Sequence, residues 1–289
     1  MKQKNPRAFS LFEMSIVIII VSLTIAGITL STRLIGKSTL AKAQLLTKNS
    51  PVKDIENLLF WFETTLEESF VLAEINDANL ISVWRNLAPN KSYQSNATQD
   101  TSGNRPKFYE KVINNSIPVL RFDGTNDYLN LDSATIRKLL NLPYTIFVVE
   151  KRTSSKDSNY FIAGSDTGSG NNLILGYRDT NTITQAHLNG AFDYDVNSYD
   201  EPLTRIHCFN YGLTAGKKYY LNGSSNPNKE EVSASGPVVS FDGASIGQRY
   251  SSDYYQGDIA EIIIFNRSLK SEERNSVSKY LAKKYDLKI

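Results

Sequence analysis

The sequence lacks several features that would narrow its chemistry. It contains a single cysteine, Cys208, among 289 residues, so no disulfide can form within the chain. Its two histidines are His187 and His207. The only cysteine or histidine near either of them is Cys208, which on a strand would point to the opposite face from His207, so no zinc site is predicted. The formal net charge of +2 is too small to indicate a nucleic-acid partner.

Three patterns that indicate catalysis are incomplete. Glycosidases of β-sandwich folds need two carboxylates on one strand face, and the predicted strands show none at alternate positions. Asp258 and Glu261 are three residues apart and are expected on opposite faces. Gly243–Gly247 has the spacing of a nucleophile elbow, but no histidine follows Ser245. Gly168–Gly170 lacks the third glycine of a nucleotide loop. We therefore predict that the chain is not an enzyme, with a carboxylate pair assembled from separate strands left open.

A long apolar run lies near the N-terminus. Phe9–Leu30 reads FSLFEMSIVIIIVSLTIAGITL and carries one charge, Glu13. At ~1.5 Å per residue, a helix of this length covers roughly 30 Å, the thickness of a bilayer's hydrocarbon core. Lys2, Lys4 and Arg7 precede the run, and no A-x-A-like cleavage site follows it. We predict a transmembrane helix; the alternatives are an ordinary signal anchor and a cleaved secretory signal.

The start of this run resembles type IV pilins and type II secretion pseudopilins. The resemblance is carried by Arg7-Ala8-Phe9-Ser10-Leu11-Phe12-Glu13-Met14, with Ala8 and Met14 where the family usually has Gly and Leu. It implies that a prepilin peptidase cleaves between Ala8 and Phe9 and methylates the new amine. It also implies that Glu13 pairs with the Phe9 amine of a neighbouring pilin or pseudopilin subunit, because a buried charge needs a partner. The implied location is the cytoplasmic (inner) membrane, with a single pass and the bulk of the chain outside the cytoplasm, and then a pilus or pseudopilus at the cell surface.

The whole chain divides by composition and hydrophobic pattern into four segments. Residues 1–8 are the predicted leader, and residues 9–47 are the predicted helix, with its transmembrane part at 9–30. Residues 48–57 are a linker containing Pro51, which disfavours helix at the residue before it. Residues 58–289 alternate aromatic and β-branched runs with Asn-Gly and Asp-Gly turns, which favours antiparallel strands. The candidate strands are Leu58–Glu63, Pro118–Phe122, Tyr128–Leu131, Thr145–Glu150, Tyr160–Ala163, Leu173–Tyr177, Thr182–Leu188, Arg205–Tyr211, Lys217–Asn222, Ala244–Gly247 and Asp258–Phe265.

This second part resembles the laminin-G-like, concanavalin A-like jelly-roll family of bacterial surface proteins. The matching pieces include Ile81–Asn86, Pro118–Gly124, Tyr144–Val149, Gly257–Ile262 and Leu269–Arg274. The resemblance implies a mainly-β fold, an antiparallel β-sandwich preceded by the long N-terminal transmembrane pilin-type α-helix. The last segment is predicted to form a short C-terminal helix that packs against the sandwich.

Two stretches carry candidate ligand-binding residues. Exposed aromatic side chains above a rigid sandwich can stack on sugar rings, while carboxylates hold hydroxyls. The candidates for glycan binding are Tyr194, Tyr199, Tyr250, Asp253, Tyr254 and Tyr255. The spacing of acidic residues in AFDYDVNSYDE partly resembles calcium ligation, although Ser198 replaces the turn glycine of an EF-hand. The candidate calcium ligands are Asp193, Asp195 and Asp200, and no other cofactor is predicted.

Taken together, these patterns predict a filament subunit of the pilin or pseudopilin type. Its expected partners are the prepilin peptidase, other subunits through the N-terminal helix, the membrane, and a glycan or surface protein bound by a lectin-like jelly roll. Two alternatives stay open: a membrane-tethered carbohydrate-active enzyme of concanavalin A-like fold, and a purely structural secretion-system pseudopilin.

Overall fold

The N-terminal helix leaves its apolar half uncovered. The computed structural model describes residues 10–90, 95–139, 142–164, 173–187, 190–195, 203–232, 243–250 and 252–288. Helix α1 (Leu11–Lys48) begins with a capping box, in which the Ser10 hydroxyl accepts from the Glu13 N–H (3.2 Å) and the Glu13 carboxylate accepts from the Ser10 N–H (2.8 Å). Every residue from Leu11 to Leu30 is exposed. By length and composition this one helix is able to cross a membrane, a test that a signal sequence also passes. Ala8 and Phe9 lie outside the described residues.

The remainder is built mostly from short strands. In chain order these are β1 (Leu58–Glu63), β2 (Val83–Trp84), β3 (Ala97–Thr98), β4 (Lys107–Ile113), β5 (Ile117–Asp123), β6 (Leu129–Leu131), β7 (Tyr144–Arg152), β8 (Asn159–Gly164), β9 (Ile174–Tyr177), β10 (Thr182–His187), β11 (Gly190–Asp195), β12 (Thr204–Gly212), β13 (Gly216–Leu221), β14 (Lys229–Glu231), β15 (Ala244–Ile246), β16 (Gln248–Arg249), β17 (Asp253–Tyr254) and β18 (Gln256–Phe265). Two further α-helices are α2 (Ser133–Ile136) and α3 (Ser271–Tyr285), and single 3-10 turns lie at Pro51–Asp54, Glu67–Ser69, Leu72–Glu74, Ser102–Asn104 and Arg137–Leu139.

The strands form two stacked antiparallel sheets, which confirms the predicted sandwich. Sheet A has the order β14-β13-β12-β7-β18-β5-β4, with β1 also paired to β18. Sheet B has the order β11-β10-β9-β8-β15-β6-β3-β2, and β16 pairs with β17 in a separate hairpin. The central strands of sheet A are buried on both faces, because sheet B covers one face and helices cover the other.

Two apolar clusters pack against the two faces of sheet A. The larger cluster fills the space between the sheets and includes Phe62, Trp84, Ile146 and Ile262. The second lies between the outer face of sheet A and helices α1 and α3, where Val277 and Leu281 are fully buried. The C-terminal helix therefore packs against the sandwich as predicted. The predicted linker is also packed, since its Val52 is fully buried.

A charged triad lies in this second layer. Lys284 Nζ on α3 lies 2.9 Å from Glu63 Oε2 and 2.8 Å from Glu261 Oε2, and all three side chains are 0% exposed. Glu261 also accepts hydrogen bonds from Trp61 Nε1 (2.7 Å) and from the Tyr280 hydroxyl (2.9 Å). The triad therefore ties α3 to the middle of sheet A.

The expectation that Asp258 and Glu261 face opposite ways is wrong. A β-bulge interrupts the pairing of β18 with β7 between Ile259 and Glu261. Ile259 packs between the sheets, whereas Ala260 and Glu261 both belong to the outer face. Because the bulge adds one residue to the alternation, Asp258, which pairs with Arg121, and Glu261 share that face.

Candidate functional site

The candidate site rests on a buried carboxylate between the sheets. Glu150 on β7 is fully buried and accepts hydrogen bonds from the hydroxyls of Tyr177 (2.8 Å) and Tyr255 (2.7 Å). Its Oε1 also lies 3.0 Å from His207 Nε2. Burial alone would raise the pKa of the Glu150 carboxyl, but the hydrogen bonds from His207, Tyr255 and Tyr177 hold it below its usual value. Burial lowers the pKa of His207, which favours its neutral form.

Tyr255 connects this carboxylate to the hairpin of β16 and β17, which we call the rim hairpin. Its hydroxyl binds Glu150, while its N–H donates to the Gly247 carbonyl at the start of the hairpin (2.9 Å). Gly247 has φ +84°, and an added Cβ would lie 2.5 Å from the Phe122 ring, so a side chain there would not fit. Lys156 Nζ also donates to the Tyr254 carbonyl (3.1 Å). The rim hairpin is therefore fixed to the core at both ends.

The rim hairpin holds an arginine between two tyrosine rings beside β8, an interior strand of sheet B. The Arg249 guanidinium carbon lies 4.6 Å from the ring centroid of Tyr160 and 4.8 Å from that of Tyr250. Arg249 also pairs with Asp253 at 2.6 Å, and both side chains are partly exposed, at 23% and 20%. Tyr250 and Tyr254 are half-buried. Tyr160 is itself buried, at 3% exposed, so the aromatic surface of the group comes from Tyr250 and Tyr254, beside one fixed donor and one fixed acceptor.

One row of residues in register crosses the neighbouring outer face of sheet B. Thr98, Asn130, Ser245, Ala163 and Ile174 lie side by side on successive strands. Ser245 is 6% exposed and Ala163 is 1% exposed, so the middle of this face is covered. Asn130 is exposed and Thr98 is half-buried, so this face offers accessible polar groups in addition to those of the rim hairpin.

Two of the predicted glycan-binding tyrosines lie elsewhere. Tyr255 is fully buried, so its ring offers no surface for stacking. Tyr194 points inward from β11, and its ring centroid lies 4.8 Å from that of Tyr219 in the core. Tyr199 lies outside the described residues. Of the predicted set, the structure brings together Tyr250, Asp253 and Tyr254.

The predicted calcium ligands also do not form one described group. Asp193 and Asp195 lie on strand β11, not in a loop, and by their spacing they share the strand face opposite to Tyr194. The Asp193 carboxylate forms an ion pair with Arg178. Asp200 lies outside the described residues. Among the described residues, no group of three or more His, Cys, Asp or Glu side chains is arranged to hold a metal ion.

Arg249 and Tyr160 were missed by the sequence-based prediction. Tyr160 was assigned to a strand, but nothing in that strand's pattern indicates which of its faces meets a distant hairpin. Arg249 directly precedes the predicted YSSDYYQGD stretch, and its spacing of four residues to Asp253 is the one signal that would have suggested the ion pair.

Comparisons with known proteins agree with this architecture. A family model described as the concanavalin A-like lectin/glucanases superfamily (Laminin_G_3) matches residues 123–273. Domain 4 of an extracellular arabinanase from Geobacillus stearothermophilus, solved in complex with arabinotriose, is similar with a TM-score of 0.51 and 12% identity, covering 77% of this chain and 98% of that one. The sialidase of Trypanosoma rangeli, solved with sialic acid, has a TM-score of 0.53 and 14% identity, covering 87% of this chain and 39% of the sialidase. No curated protein sequence matches the chain.

These comparisons overturn the prediction that the chain is not an enzyme. The similar structures belong to an arabinanase and a sialidase, so the incomplete catalytic patterns do not exclude activity on glycans. At these identities the likeness shows the fold alone, and the pilin resemblance of the first residues stays a prediction. Because the family model covers more than half of the sequence, the chain belongs to the concanavalin A-like lectin/glucanases superfamily.

Proposed function

We propose that this chain is a membrane-anchored glycan-binding protein. Helix α1 holds it in the membrane, and the rim hairpin recognises sugar. The observation that carries the binding proposal is the partly exposed Arg249–Asp253 pair beside the half-buried ring of Tyr250, on a hairpin fixed to the core. The similar arabinanase domain, whose structure contains arabinotriose, supports the same use of this fold.

The chemistry of the rim hairpin suits a sugar. Tyrosine faces offer apolar surface to the C–H groups of a pyranose or furanose, while the Asp253 carboxylate accepts from hydroxyls and the Arg249 guanidinium donates to them. Because the two charges neutralise each other, the patch has little net field. A neutral oligosaccharide is therefore the favoured ligand over a strongly anionic one.

Glycan binding can be measured with the full chain in nanodiscs, first on a glycan array and then by calorimetry. We expect Tyr250→Ala and Asp253→Asn each to weaken binding by about tenfold, the loss of one stacking or charge-assisted contact. Tyr109→Ala is a matched control, since Tyr109 also lies under an arginine, Arg121, but on sheet A. Wild-type affinity in both rim-hairpin variants would refute the assignment. The predicted calcium site is tested in the same titration, with calcium and with a chelator.

For the anchor we propose assembly into a pilin-type filament. The exposed apolar helix and the Glu13 capping box support this proposal, because the carboxylate lies in the first turn, where a neighbour's amine would reach it. Mass spectrometry of the mature chain should find an N-terminus at methylated Phe9. An intact Met1 in cells with an active prepilin peptidase would refute processing. Glu13→Gln should still insert into the membrane but fail to join a filament.

Glycan cleavage is a second candidate, favoured by the enzymes among the similar structures. It predicts that oligosaccharides bound by the full chain are shortened on incubation, which chromatography of the sugars would detect. Asp253→Asn on the rim hairpin and Asp193→Asn on β11 test two of the described carboxylates. Binding without any cleavage would leave the lectin proposal standing alone, and neither binding nor cleavage would favour a purely structural pseudopilin.

A further inference from the structure

We propose that a phosphoethanolamine-type lipid headgroup binds in a cleft at the base of α1, and this inference rests on the proposed membrane insertion of that helix. The cleft, which we call the anchor cleft, has a volume of about 800 Å³. One wall is a single face of α1, with Arg33, Gly36, Lys37, Leu40 and Gln44 at helical spacing. The opposite wall belongs to the sandwich.

The position of the anchor cleft matches the headgroup layer. The exposed apolar stretch ends at Leu30. Arg33 and Lys37 follow three and seven residues later, which at ~1.5 Å per residue places them roughly 5 and 10 Å beyond the hydrocarbon edge. The headgroup region extends about 5–7 Å from the hydrocarbon edge, so Arg33 lies within it and the long Lys37 side chain can reach back to it. The far end of the anchor cleft is closed by a hydrogen bond from Gln44 Nε2 to the Thr65 carbonyl (2.9 Å).

The anchor cleft is lined by charges of both signs. Arg33, Lys37 and Lys111 supply three cations, and Glu67 and Glu110 supply two carboxylates. Four of the five side chains are exposed and Glu110 is half-buried. Among the described residues, none of these five side chains has an ion pair or a side-chain hydrogen bond. Charges of opposite sign that line one cleft without pairing leave both kinds of site open to a ligand.

A zwitterion with a primary ammonium complements this lining. Its phosphate would accept from Arg33, Lys37 and Lys111, and its ammonium would donate to Glu67 and Glu110. Phosphatidylglycerol offers a phosphate and neutral hydroxyls, which can donate to the carboxylates but carry no positive charge to balance them. Phosphatidylcholine carries a quaternary ammonium that has no N–H to donate. The charge pattern therefore selects phosphatidylethanolamine among the three.

The lining of the anchor cleft also includes apolar side chains, and the one on α1, Leu40, lies beyond Lys37 on the side away from the membrane. Leu40 on α1 faces Leu66, Phe70, Ile75 and Phe108 across it. The glycerol and acyl chains of the lipid would instead leave the anchor cleft at its Arg33 end, and the acyl chains would continue along the exposed half of α1 into the bilayer. Basic residues that follow the apolar run would by themselves weaken the prediction that the bulk of the chain lies outside the cytoplasm, because positive charge favours the cytoplasmic side. In this arrangement they bind a lipid headgroup instead.

The test uses the full chain reconstituted in vesicles of phosphatidylcholine alone, or of phosphatidylcholine mixed with either phosphatidylethanolamine or phosphatidylglycerol. After mild detergent extraction, native mass spectrometry identifies the retained lipid. We expect one phosphatidylethanolamine per chain. Lys37→Gln should weaken retention about fivefold, equivalent to about 1 kcal/mol per cation near the membrane surface. Glu67→Gln should reduce retention of phosphatidylethanolamine but raise that of phosphatidylglycerol.

Two matched controls lie beside these residues. Lys42 is an exposed lysine on the same helix and Glu68 is an exposed neighbour of Glu67, and neither lines the anchor cleft. Lys42→Gln and Glu68→Gln should retain the lipid as the wild type does. Preferred retention of phosphatidylglycerol, no retained lipid, or pairing of two chains through the anchor cleft would each overturn the proposal. Resistance to alkaline extraction, measured in parallel, reports insertion of α1 separately. A chain that inserts but retains no lipid refutes only the headgroup site, whereas a chain that alkali removes refutes the proposed anchor itself.

Discussion

Replacing Lys284 by methionine tests whether the buried triad holds α3 to sheet A. The ammonium lies within 3 Å of a carboxylate oxygen on each of Glu63 and Glu261, and none of the three side chains is exposed. Lys284→Met keeps most of the apolar stem but leaves two buried carboxylates without a cation. Breaking a buried ion pair in this way costs about 3–5 kcal/mol. For a chain of this size that corresponds to a fall in Tm of roughly 10 °C.

The pH dependence separates loss of charge from loss of packing. Burial would raise the pKa of Glu63, but the Lys284 ammonium and the Thr65 and Ser69 hydroxyls hold it below its usual value. A carboxyl with a lowered folded-state pKa adds stability above its unfolded pKa of about 4.3, and this is lost as the pH falls through the folded value. The pKa of Lys284 is raised, despite burial, by both carboxylates. Its contribution is present below its unfolded pKa of about 10.4 and is lost as the pH rises through the folded value. The deficit of the variant should therefore be largest near neutral pH and should shrink in acid.

Thermal unfolding of the full chain in detergent, followed by circular dichroism over a pH series, measures this deficit. Lys283→Met is the matched control, because Lys283 is the exposed neighbour on the same helix. A fall in Tm no larger than that of the control at neutral pH would refute the role of the triad. A deficit that stays constant into acid would mean that packing, and not charge, explains it.

Three further substitutions test a glycine turn, a buried carboxyl and a buried hydrogen bond. Gly216→Ala should lower the free energy of unfolding by about 1–3 kcal/mol in urea titrations. The reason is that Gly216 has φ +69° and an added Cβ would lie 1.8 Å from a backbone oxygen of β14. An unchanged unfolding midpoint would contradict this. Burial and the neighbouring Asp123 raise the pKa of Asp127 to about 7, so the folded state binds the proton more tightly and stability rises as the pH falls towards about 4. Asp127→Asn, which carries no charge, should raise Tm above about pH 7 and change it little in acid; equal shifts at both pH values would contradict the cause. Tyr255→Phe removes a hydrogen-bond donor to Glu150 and should lower the free energy of unfolding by about 1.5–3 kcal/mol. Although Tyr255 is buried, glycan affinity should also fall, because this hydrogen bond fixes the rim hairpin. Calorimetry that shows wild-type affinity would mean that glycan binding does not depend on the Tyr255–Glu150 contact.

Strand positions were predictable wherever hydrophobic alternation was strong. β1 was predicted with its observed bounds, and the core strands β7 and β12 extend the predicted runs by one to two residues at each end. β11 was read as an acidic loop, because its Asp193 and Asp195 are polar at alternate positions. Those positions lie on the outer face, while Phe192 and Tyr194 face the core. The alternation was present, but acidic residues have low strand propensity and concealed it.

The candidate site was predictable only in part. Tyr250, Asp253 and Tyr254 were identified from composition, and the structure places them together on the rim hairpin. Tyr255, next to Tyr254, is buried because strand-like alternation turns it towards Glu150. Which of two adjacent tyrosines meets solvent depends on the register of the rim hairpin against the core, and that register depends on contacts made by residues far away in the chain.

By itself the sequence determined the properties that arise from neighbouring residues. These are the long apolar helix with Glu13 in its first turn, the turn-separated strands of a mainly-β domain, and the amphipathic C-terminal helix. Only the tertiary structure decided which charges are buried and paired, since Lys284 meets Glu63 across 221 residues of the chain. The bulge in β18 and the mixed charges of the anchor cleft were decided there too. The physical reason is that the environment of a carboxylate or an amine is set by what packs against it, and in a sandwich those partners come from distant strands.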